Sequence, residues 1–260
     1  MSISVIIPVY NEEKYIAACL ESLLRQSEKP DEIIVVNNNS TDNTLTIVKQ
    51  FPVKILHEKK QGMIPARNKG FNAAKYDVIA RTDADAKVPK DWIKRIKKAF
   101  IKDKDLLAYS GAATFYNIPQ VMQPKNWLFG VWFEPIKLAF GHDCLFGPNM
   151  AIRKTAWEKV KDFVCLQDTI VHEDMDLSYH IGQIGKIEFD SKLVVKVSPR
   201  KFKKIYKYLE YGSRSIRTVQ HHKYPLHPLK ERPFVKKVLS ISKTRRKRLI
   251  THLRHLQQYL

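Results

Sequence analysis

The chain has 260 residues, a net charge of +20 and a hydrophobic fraction of 44%, enough apolar material for a core, which excludes wholesale disorder. The N-terminus lacks a basic segment and turns polar after ten residues, and no stretch reaches about 18 apolar residues, so neither a signal peptide nor a membrane-spanning helix is expected. The three cysteines follow no metal-binding spacing, which predicts reduced thiols in a cytoplasmic protein.

The positive charge is concentrated at the C-terminal end. Residues 1–195 contain 27 Lys or Arg against 24 acids, whereas residues 196–260 contain 19 against two, a net charge of +17. This predicts a main domain and a basic helical tail with two amphipathic stripes. The stripes are Phe202, Ile205, Tyr206 and Leu209, then Leu249, Leu253, Leu256 and Leu260. Such helices favour an anionic membrane surface, and nucleic acid is the alternative anionic partner.

The first hundred residues alternate between short β-branched runs and helical patterns. The runs are Ser4–Val9, Ile33–Val36, Val53–Leu56 and Val78–Ala80. They are apolar almost throughout, as strands buried on both faces are. Between them, Ser40 is predicted to cap a helix over residues 41–50, and Pro65 and Pro89 are predicted in first helical turns. This order predicts an α/β fold, a mostly parallel sheet flanked by helices.

Polar segments follow each predicted strand. They are Pro8–Asn11, Asn37–Asn39, His57–Gly62 and Thr82–Asp85. Ligands bind such sheets beyond the carboxyl ends of the strands. Folding alone does not require acids and amides to gather on that edge, so we expect the functional site there.

Asp83 and Asp85 are the candidate metal ligands. Two carboxylates at positions i and i+2 after a strand can approach one Mg²⁺ or Mn²⁺, which accepts oxygen ligands and shares its shell with substrate phosphates. A polar turn capped by Asp85 is the alternative. Arg67 lies in the preceding predicted helix, from which a guanidinium can bind a phosphate in bidentate fashion.

Two further segments carry candidate polar chemistry. Asn37 and Asn38 stand in a run that suits a turn, and their amides are also candidates for a nucleotide base or ribose. Residues 172–176 place three acids just before an apolar helix. Acids stabilise a helix N-terminus, and one of them could equally serve as a general base that deprotonates a hydroxyl group.

Taken together, five motifs resemble the family-2 glycosyltransferases, which have the GT-A fold. The motifs are SVIIPVYNEEKYI, EIIVVNNNSTDNT, GMIPARNKGFNAAKYDVIARTDADA, GPNMAIRKTAW and HEDMDLSYHIGQIGKIEFD. They span residues 3 to about 190, and their order and spacing make the resemblance specific.

The resemblance implies an inverting transferase that uses a nucleotide-sugar and Mn²⁺ or Mg²⁺. By position, the implied nucleotide-binding residues are Pro8, Tyr10, Asn11, Glu12, Asn37, Asn38, Arg67 and Asp83. Asp83 and Asp85 are the implied metal ligands, and Asp174 is the implied catalytic base. Gly147, Asn149 and Glu173 are the residues implied to face the donor sugar and the acceptor.

Two departures from the family pattern matter. The family usually has Asp at the position of Asn37, often Asp at the position of Asn38, and Gly at the position of Asn39. Because an Asn side-chain oxygen still accepts a hydrogen bond from a uracil N–H, a UDP-sugar is expected. The QxxRW motif of processive synthases is absent, which predicts transfer of one sugar. A sugar-phosphate nucleotidyltransferase would need a Gly- and Arg-rich loop in place of PVYNEE.

The remaining alternatives are a non-catalytic sugar-nucleotide-binding protein and a nucleic-acid-binding protein. The second explains the basic tail but leaves the acidic edge of the sheet unexplained. We therefore expect a glycan or lipid-linked acceptor, an anionic membrane surface and no nucleic acid as partners. The expected location is the cytoplasm, at the inner face of the cell membrane.

Overall fold

The computed structural model describes residues 1–116, 137, 140–167, 169–202 and 205–222, with the backbone alone for 201, 202 and 205–211. The strands are β1 Ile3–Val9, β2 Glu32–Asn37, β3 Lys54–His57, β4 Val78–Arg81, β5 Ala86–Lys87, β6 Leu106–Phe115, β7 Met150–Arg153 and β8 Lys186–Val197. The α-helices are α1 Ile16–Leu24, α2 Thr44–Val48, α3 Met63–Ala73, α4 Trp92–Lys102, α5 Lys154–Val160, α6 Glu173–Gly182 and α7 Ile205–His221. Short 3₁₀ turns lie at Gly147–Asn149 and Pro199–Phe202.

The described strands form one sheet in the order β3-β2-β1-β4-β7-β6-β8-β5. The pairs β1–β2, β2–β3 and β1–β4 are parallel, as the alternation of strands and helices predicts. β7 then runs antiparallel to both β4 and β6, and β8 pairs with β6 in parallel. The fold class expected from the sequence is confirmed: an α/β sheet, mostly parallel on one side and mixed on the other.

The sheet is buried on both faces. Side chains alternate along β1, so Val5 and Ile7 pack with α1 and α4, whereas Ile6 packs with α3, α5 and α6. Because helices cover both faces, the strand is apolar throughout rather than alternating. This arrangement leaves the carboxyl edge of β1, β2 and β4 for the polar loops.

Two predicted helix starts differ from the structure. Ser40 is not the cap of α2, because its Oγ accepts the backbone N–H of Asn11 at 3.1 Å and the helix begins only at Thr44. α4 begins at Trp92, and the carbonyl of Pro89 accepts the Trp92 N–H just before it. The loop before α2 is thus longer than predicted.

The expected boundary at residue 195 falls inside β8, which continues to Val197 and pairs with β5. α7 then packs on the domain and buries Ile216, Thr218 and Val219. The second stripe, residues 249–260, and the side chains of the first stripe lie outside the described residues. Within the described part of the chain, no helix combines the length and apolar character needed to cross a membrane.

Candidate active site

The loops after β1 and β2 are fastened to each other. Asn11 and Asn39 have left-handed backbones, with φ of 54° and 62°, a conformation that asparagine tolerates better than most residues. The Asn11 Oδ1 accepts the N–H of Thr41 at 2.8 Å. Pro8 is buried, and the side chain of Tyr10 is half exposed. Of the residues expected at the nucleotide, Tyr10 is thus accessible and Pro8 is not.

Asn38 fastens a loop instead of presenting a free amide. Its Nδ2 donates to the carbonyls of Glu58 and Lys60 at 2.9 and 2.8 Å, and its Oδ1 accepts the N–H of Gly62 at 2.8 Å. Both amide hydrogens are therefore engaged by main chain. The Oδ1 of Asn37 accepts the N–H of Ser40 at 3.2 Å.

Asp83 and Asp85 follow β4 directly, and both are buried. Asp83 accepts a hydrogen bond from Arg81 at 3.0 Å, and Asp85 accepts one from Arg200 at 3.0 Å. Arg200 also forms an ion pair with Glu12. Two arginines thus hold the acids of this edge, and Arg200 links the loop after β1 to the loop after β4.

Negative charge is concentrated at this point. Burial, followed by the carboxylates of Asp85, Asp83 and Glu12, raises the pKa of the Cys19 thiol far above its ordinary value. The carboxylates therefore face one small region beside Cys19, whose Sγ lies 3.5 Å from the Asp83 carbonyl. An oxygen-only set of this kind fits a hard divalent cation such as Mg²⁺ or Mn²⁺.

Arg67 lies at the end of a buried chain of ion pairs. Its Nη1 donates to the carboxylate and the carbonyl of Glu173 at 2.9 and 2.8 Å, and its Nε and Nη2 donate to Asn68 Oδ1. Glu173 also pairs with Arg81, which in turn binds Asp83. Arg67 is fully buried. The guanidinium expected at a diphosphate therefore holds Glu173 instead.

Asp174 is the second residue of α6 and is buried at the head of that helix. Its Oδ2 accepts the N–H of Gly147 at 3.1 Å, and its Oδ1 pairs with His172. Burial alone would raise the pKa of Asp174, but His172, the Gly147 N–H and then Arg81 lower it below the ordinary value. The carboxylate therefore stays ionised although it is buried.

Gly147 and Asn149, both expected to face sugar, have different surroundings. Gly147 lies against the Arg81 guanidinium, where an added Cβ would meet Nη2 at 3.0 Å. Asn149 is fully buried; its Oδ1 accepts the Trp92 Nε1–H at 2.8 Å, and its Nδ2 donates to the carbonyls of Ala112 and Leu193 at 2.9 and 2.7 Å. Asn149 ties α4, β6 and β8 together and presents no exposed atom to a sugar.

Three residues of the site escaped the sequence analysis. Arg81 is charged within an otherwise apolar strand, and that anomaly could have revealed it. His172 immediately precedes the Glu173–Asp174 pair, and in the sequence it stands out only as part of the acidic cluster. Arg200 gave no signal, because it is one basic residue among 19 in the tail region.

The sheet is parallel in one half and carries acids at its carboxyl edge, and α6 begins with a Glu–Asp pair; together these features define the GT-A class of fold. Solved structures agree with that class. The S. aureus protein TarS 1-349, in complex with UDP-GlcNAc, aligns with TM-score 0.58 at 20% identity, covering 76% of this chain and 58% of that one. Mannosyltransferase PcManGT from Pyrobaculum calidifontis, in complex with GDP-Man and Mn²⁺, aligns with TM-score 0.62 at 19% identity, covering 83% and 64%.

The chain belongs to glycosyl transferase family 2, whose model matches residues 4–160. A putative glycosyltransferase, EpsH of Bacillus subtilis strain 168, is 30% identical over 164 residues, which cover 57% of this chain and 48% of the relative. Glycosyltransferase GlyG of Streptococcus pneumoniae serotype 4 is 36% identical over 121 residues, 44% of this chain and 39% of the relative. The matches span less than half the length of these two relatives.

Proposed function

We propose that this protein is an inverting glycosyltransferase that moves one sugar from a nucleotide-sugar, by preference a UDP-sugar, to an acceptor hydroxyl in glycan or cell-envelope biosynthesis. The observation that carries the proposal is the environment of Asp174. It is an ionised carboxylate at a helix start, joined through Gly147 to the arginine chain that also holds Asp83. A proton acceptor and a metal-binding edge are thereby supported by one set of contacts.

Asp174 is assigned the role of general base. The acceptor hydroxyl gives its proton to an Oδ atom of Asp174 while its oxygen attacks the anomeric carbon, and the bond from that carbon to the diphosphate oxygen breaks. The Gly147 N–H and His172 fix the orientation of the carboxylate. One in-line displacement needs one base and inverts the anomeric centre.

Asp83 and Asp85 are assigned to hold the divalent cation, Mn²⁺ or Mg²⁺, with Glu12 beside them. When bound, the cation supplies positive charge to the diphosphate as it leaves. Asp85 and Glu12 share Arg200, so this arginine is positioned to balance their charge. Arg67 supports the metal-binding edge indirectly, because it orients Glu173, which in turn orients Arg81.

The preference for uridine rests on acceptor oxygens at the edge of β2. Since Asn38 is engaged by the loop at residues 58–62, Asn37 is the remaining asparagine of the pair for base recognition, and Tyr10 offers an exposed ring. The two solved structures described above hold UDP-GlcNAc and GDP-Man, so this preference needs its own test.

Thermal shift with nucleotides provides that test. In the presence of Mn²⁺, UDP is expected to raise the melting temperature more than GDP or CDP does. In Asp85→Ala the UDP shift and its dependence on Mn²⁺ should disappear, because one metal ligand is gone. A larger shift with GDP would indicate a GDP-sugar donor. An undiminished UDP shift in Asp85→Ala would mean that Asp85 is not a metal ligand. An undiminished UDP shift in excess EDTA would mean that UDP binds without a metal.

A non-catalytic nucleotide-sugar-binding protein is the alternative, and turnover separates the two. The enzyme should hydrolyse or transfer from UDP-sugars with Mn²⁺ present, whereas a binding protein would show the thermal shift without turnover. A nucleic-acid-binding protein would show neither, and would bind nucleic acid instead.

We also propose that the protein works at the inner face of the cell membrane, on a glycan or lipid-linked acceptor. The proposal is supported by the net charge of +17 on residues 196–260. Basic residues near an anionic lipid surface contribute roughly 1 kcal/mol each.

A further inference from the structure

Asp176 and His180 of α6 form a cluster with His222, the residue that follows α7. Asp176 is fully buried. Its Oδ1 lies 2.9 Å from Nε2 of His222 and 3.8 Å from Nε2 of His180. All three candidate ligand atoms lie within 4.8 Å of one another. None of these residues has a role in the proposed sugar transfer.

From this geometry we propose a second metal site, distinct from Asp83 and Asp85, in which Asp176, His180 and His222 bind Zn²⁺. Two imidazoles and a carboxylate are a typical zinc ligand set, with a water in the fourth position. Zinc bonds of about 2.0–2.1 Å in a tetrahedron place ligand atoms about 3.4 Å apart. The two separations from Asp176 Oδ1, 2.9 and 3.8 Å, bracket that value, and the two histidine nitrogens lie within 4.8 Å of each other, so rotation of the histidine side chains would bring the three atoms to zinc-binding distances.

His180 provides a second, independent observation. Its Nε2 is buried and has no hydrogen-bond partner among the described residues. A buried nitrogen without a partner is unfavourable unless something occupies its lone pair. Asp176 and His180 are four residues apart on one helix, so they project from the same face.

Asp176 has a further contact that suits a metal ligand. The other oxygen of Asp176 accepts the N–H of Cys165 at 2.9 Å, a contact that orients the carboxylate.

The position of the site indicates what the metal does. Asp176 and His180 belong to α6, the helix that begins with Asp174, whereas His222 follows the end of α7. One turn earlier, Thr218 of α7 accepts the N–H of His172 at 2.7 Å. A zinc ion would therefore fasten α7, and the chain that follows it, to the helix that carries the base.

The site can be tested by zinc binding to the full-length chain. The Asp85→Ala variant serves as background, because it removes the competing oxygen site at the other edge. Isothermal titration with Zn²⁺ should give one equivalent. His180→Ala and His222→Ala should each weaken it more than about 100-fold, beyond the 10–100-fold typical for an outer partner. His221→Ala, an exposed neighbour of His222, is the matched control and should bind zinc normally.

A second readout guards against misfolded variants. Co²⁺ bound at the site should give the strong visible absorption of a tetrahedral centre in the background protein. That absorption should be absent in His180→Gln, whose circular dichroism should remain normal. If the background protein bound no zinc, or if His180→Ala and His222→Ala bound it as well as His221→Ala did, the three residues would be only a hydrogen-bonded contact between α6 and α7.

Discussion

At the scale of single residues, the proposed chemistry depends on a buried carboxylate that keeps its charge. Asp174 has its pKa lowered and His172 has its pKa raised, each through the other and against the effect of burial. A carboxylic acid whose pKa is lowered by folding stabilises the folded state above its unfolded pKa of about 3.9. A histidine whose pKa is raised by folding stabilises the folded state below its unfolded pKa of about 6.5. The pair therefore stabilises the protein most between those values.

Substitution of either member should change the pH dependence of transfer. Asp174→Asn keeps the shape but removes the proton acceptor, so kcat should fall about 10²–10⁴-fold with donor affinity nearly unchanged. His172→Gln removes the neighbouring positive charge, so the pKa of Asp174 should rise. The acid limb of kcat/KM should then move to higher pH than in the wild type.

The measurements are steady-state rates against pH for the three proteins, with donor binding measured separately. If Asp174→Asn weakened donor binding while kcat held, Asp174 would be a binding residue. An acid limb unchanged in His172→Gln would mean that His172 does not control the carboxylate.

Asn149 is expected to matter for folding rather than for sugar binding. Asn149→Ala leaves the Trp92 indole N–H and the carbonyls of Ala112 and Leu193 without their partner in the core. Each unsatisfied buried group costs about 1–3 kcal/mol, so urea unfolding should show a loss of about 3 kcal/mol or more. Asn43→Ala, which removes one exposed hydrogen bond to Glu13, is the control and should cost no more than about 1 kcal/mol. A stable Asn149→Ala protein with a raised KM for donor would restore the expected sugar contact.

Local sequence predicts the position of some of these residues but not the partners of others. Asp83, Asp85 and Asp174 are adjacent to strand and helix ends, so local sequence predicts their place in the fold. The partner of Arg67 is Glu173, 106 residues away, and nothing in the sequence near Arg67 indicates that it forms an ion pair with Glu173. The same holds for Asn149 and Leu193. Long-range hydrogen bonds decide whether a polar residue serves the fold or a ligand.

At the scale of elements, α3 approaches the sheet closely at Gly70. An added Cβ there would lie 2.3 Å from Ile6 Cγ2 and 3.0 Å from Val36 Cγ2, both in buried strands. Gly70→Ala should therefore push α3 outward and lower the free energy of unfolding by about 1–3 kcal/mol, despite the better helix propensity of alanine.

Lys69→Ala is the matched control, because Lys69 is an exposed neighbour on the same helix. It should change the unfolding midpoint in urea only slightly. Since α3 carries Arg67, the Gly70→Ala protein should also lose activity. A Gly70→Ala variant as stable as the wild type would mean that α3 can shift at no cost.

Elements with strong local patterns were predictable and the others were not. β1 and β2 are continuous apolar runs, and the structure has both strands within a few residues of the predicted bounds. The start of α2 was misplaced because Ser40 bonds to Asn11 instead of to its own helix. The reversal at β7 has no local signature, since strand direction is set by packing across the sheet.

At the scale of the whole molecule, the excess of positive charge begins at residue 196, but the residues that pack on the domain continue to His222. β8 extends to Val197, Arg200 holds Asp85, and α7 packs through Ile216 and Val219. A deletion of residues 196–260 would therefore damage the domain itself. Termination after His222 keeps these contacts and still removes residues 223–260, which contain 11 Lys or Arg against one acid.

Membrane association of the chain can thus be tested without unfolding the domain. Full-length protein should co-sediment with vesicles that contain phosphatidylserine, bind neutral vesicles weakly, and be released by salt because exposed charges are screened. The protein ending at His222 should stay in the supernatant while its circular dichroism and its UDP thermal shift remain normal. If this shorter protein bound as tightly as the full chain, the contact would lie within residues 1–222. If full-length protein failed to bind anionic vesicles at low salt, the positive charge would serve another anionic partner, and nucleic acid would be the next candidate to examine.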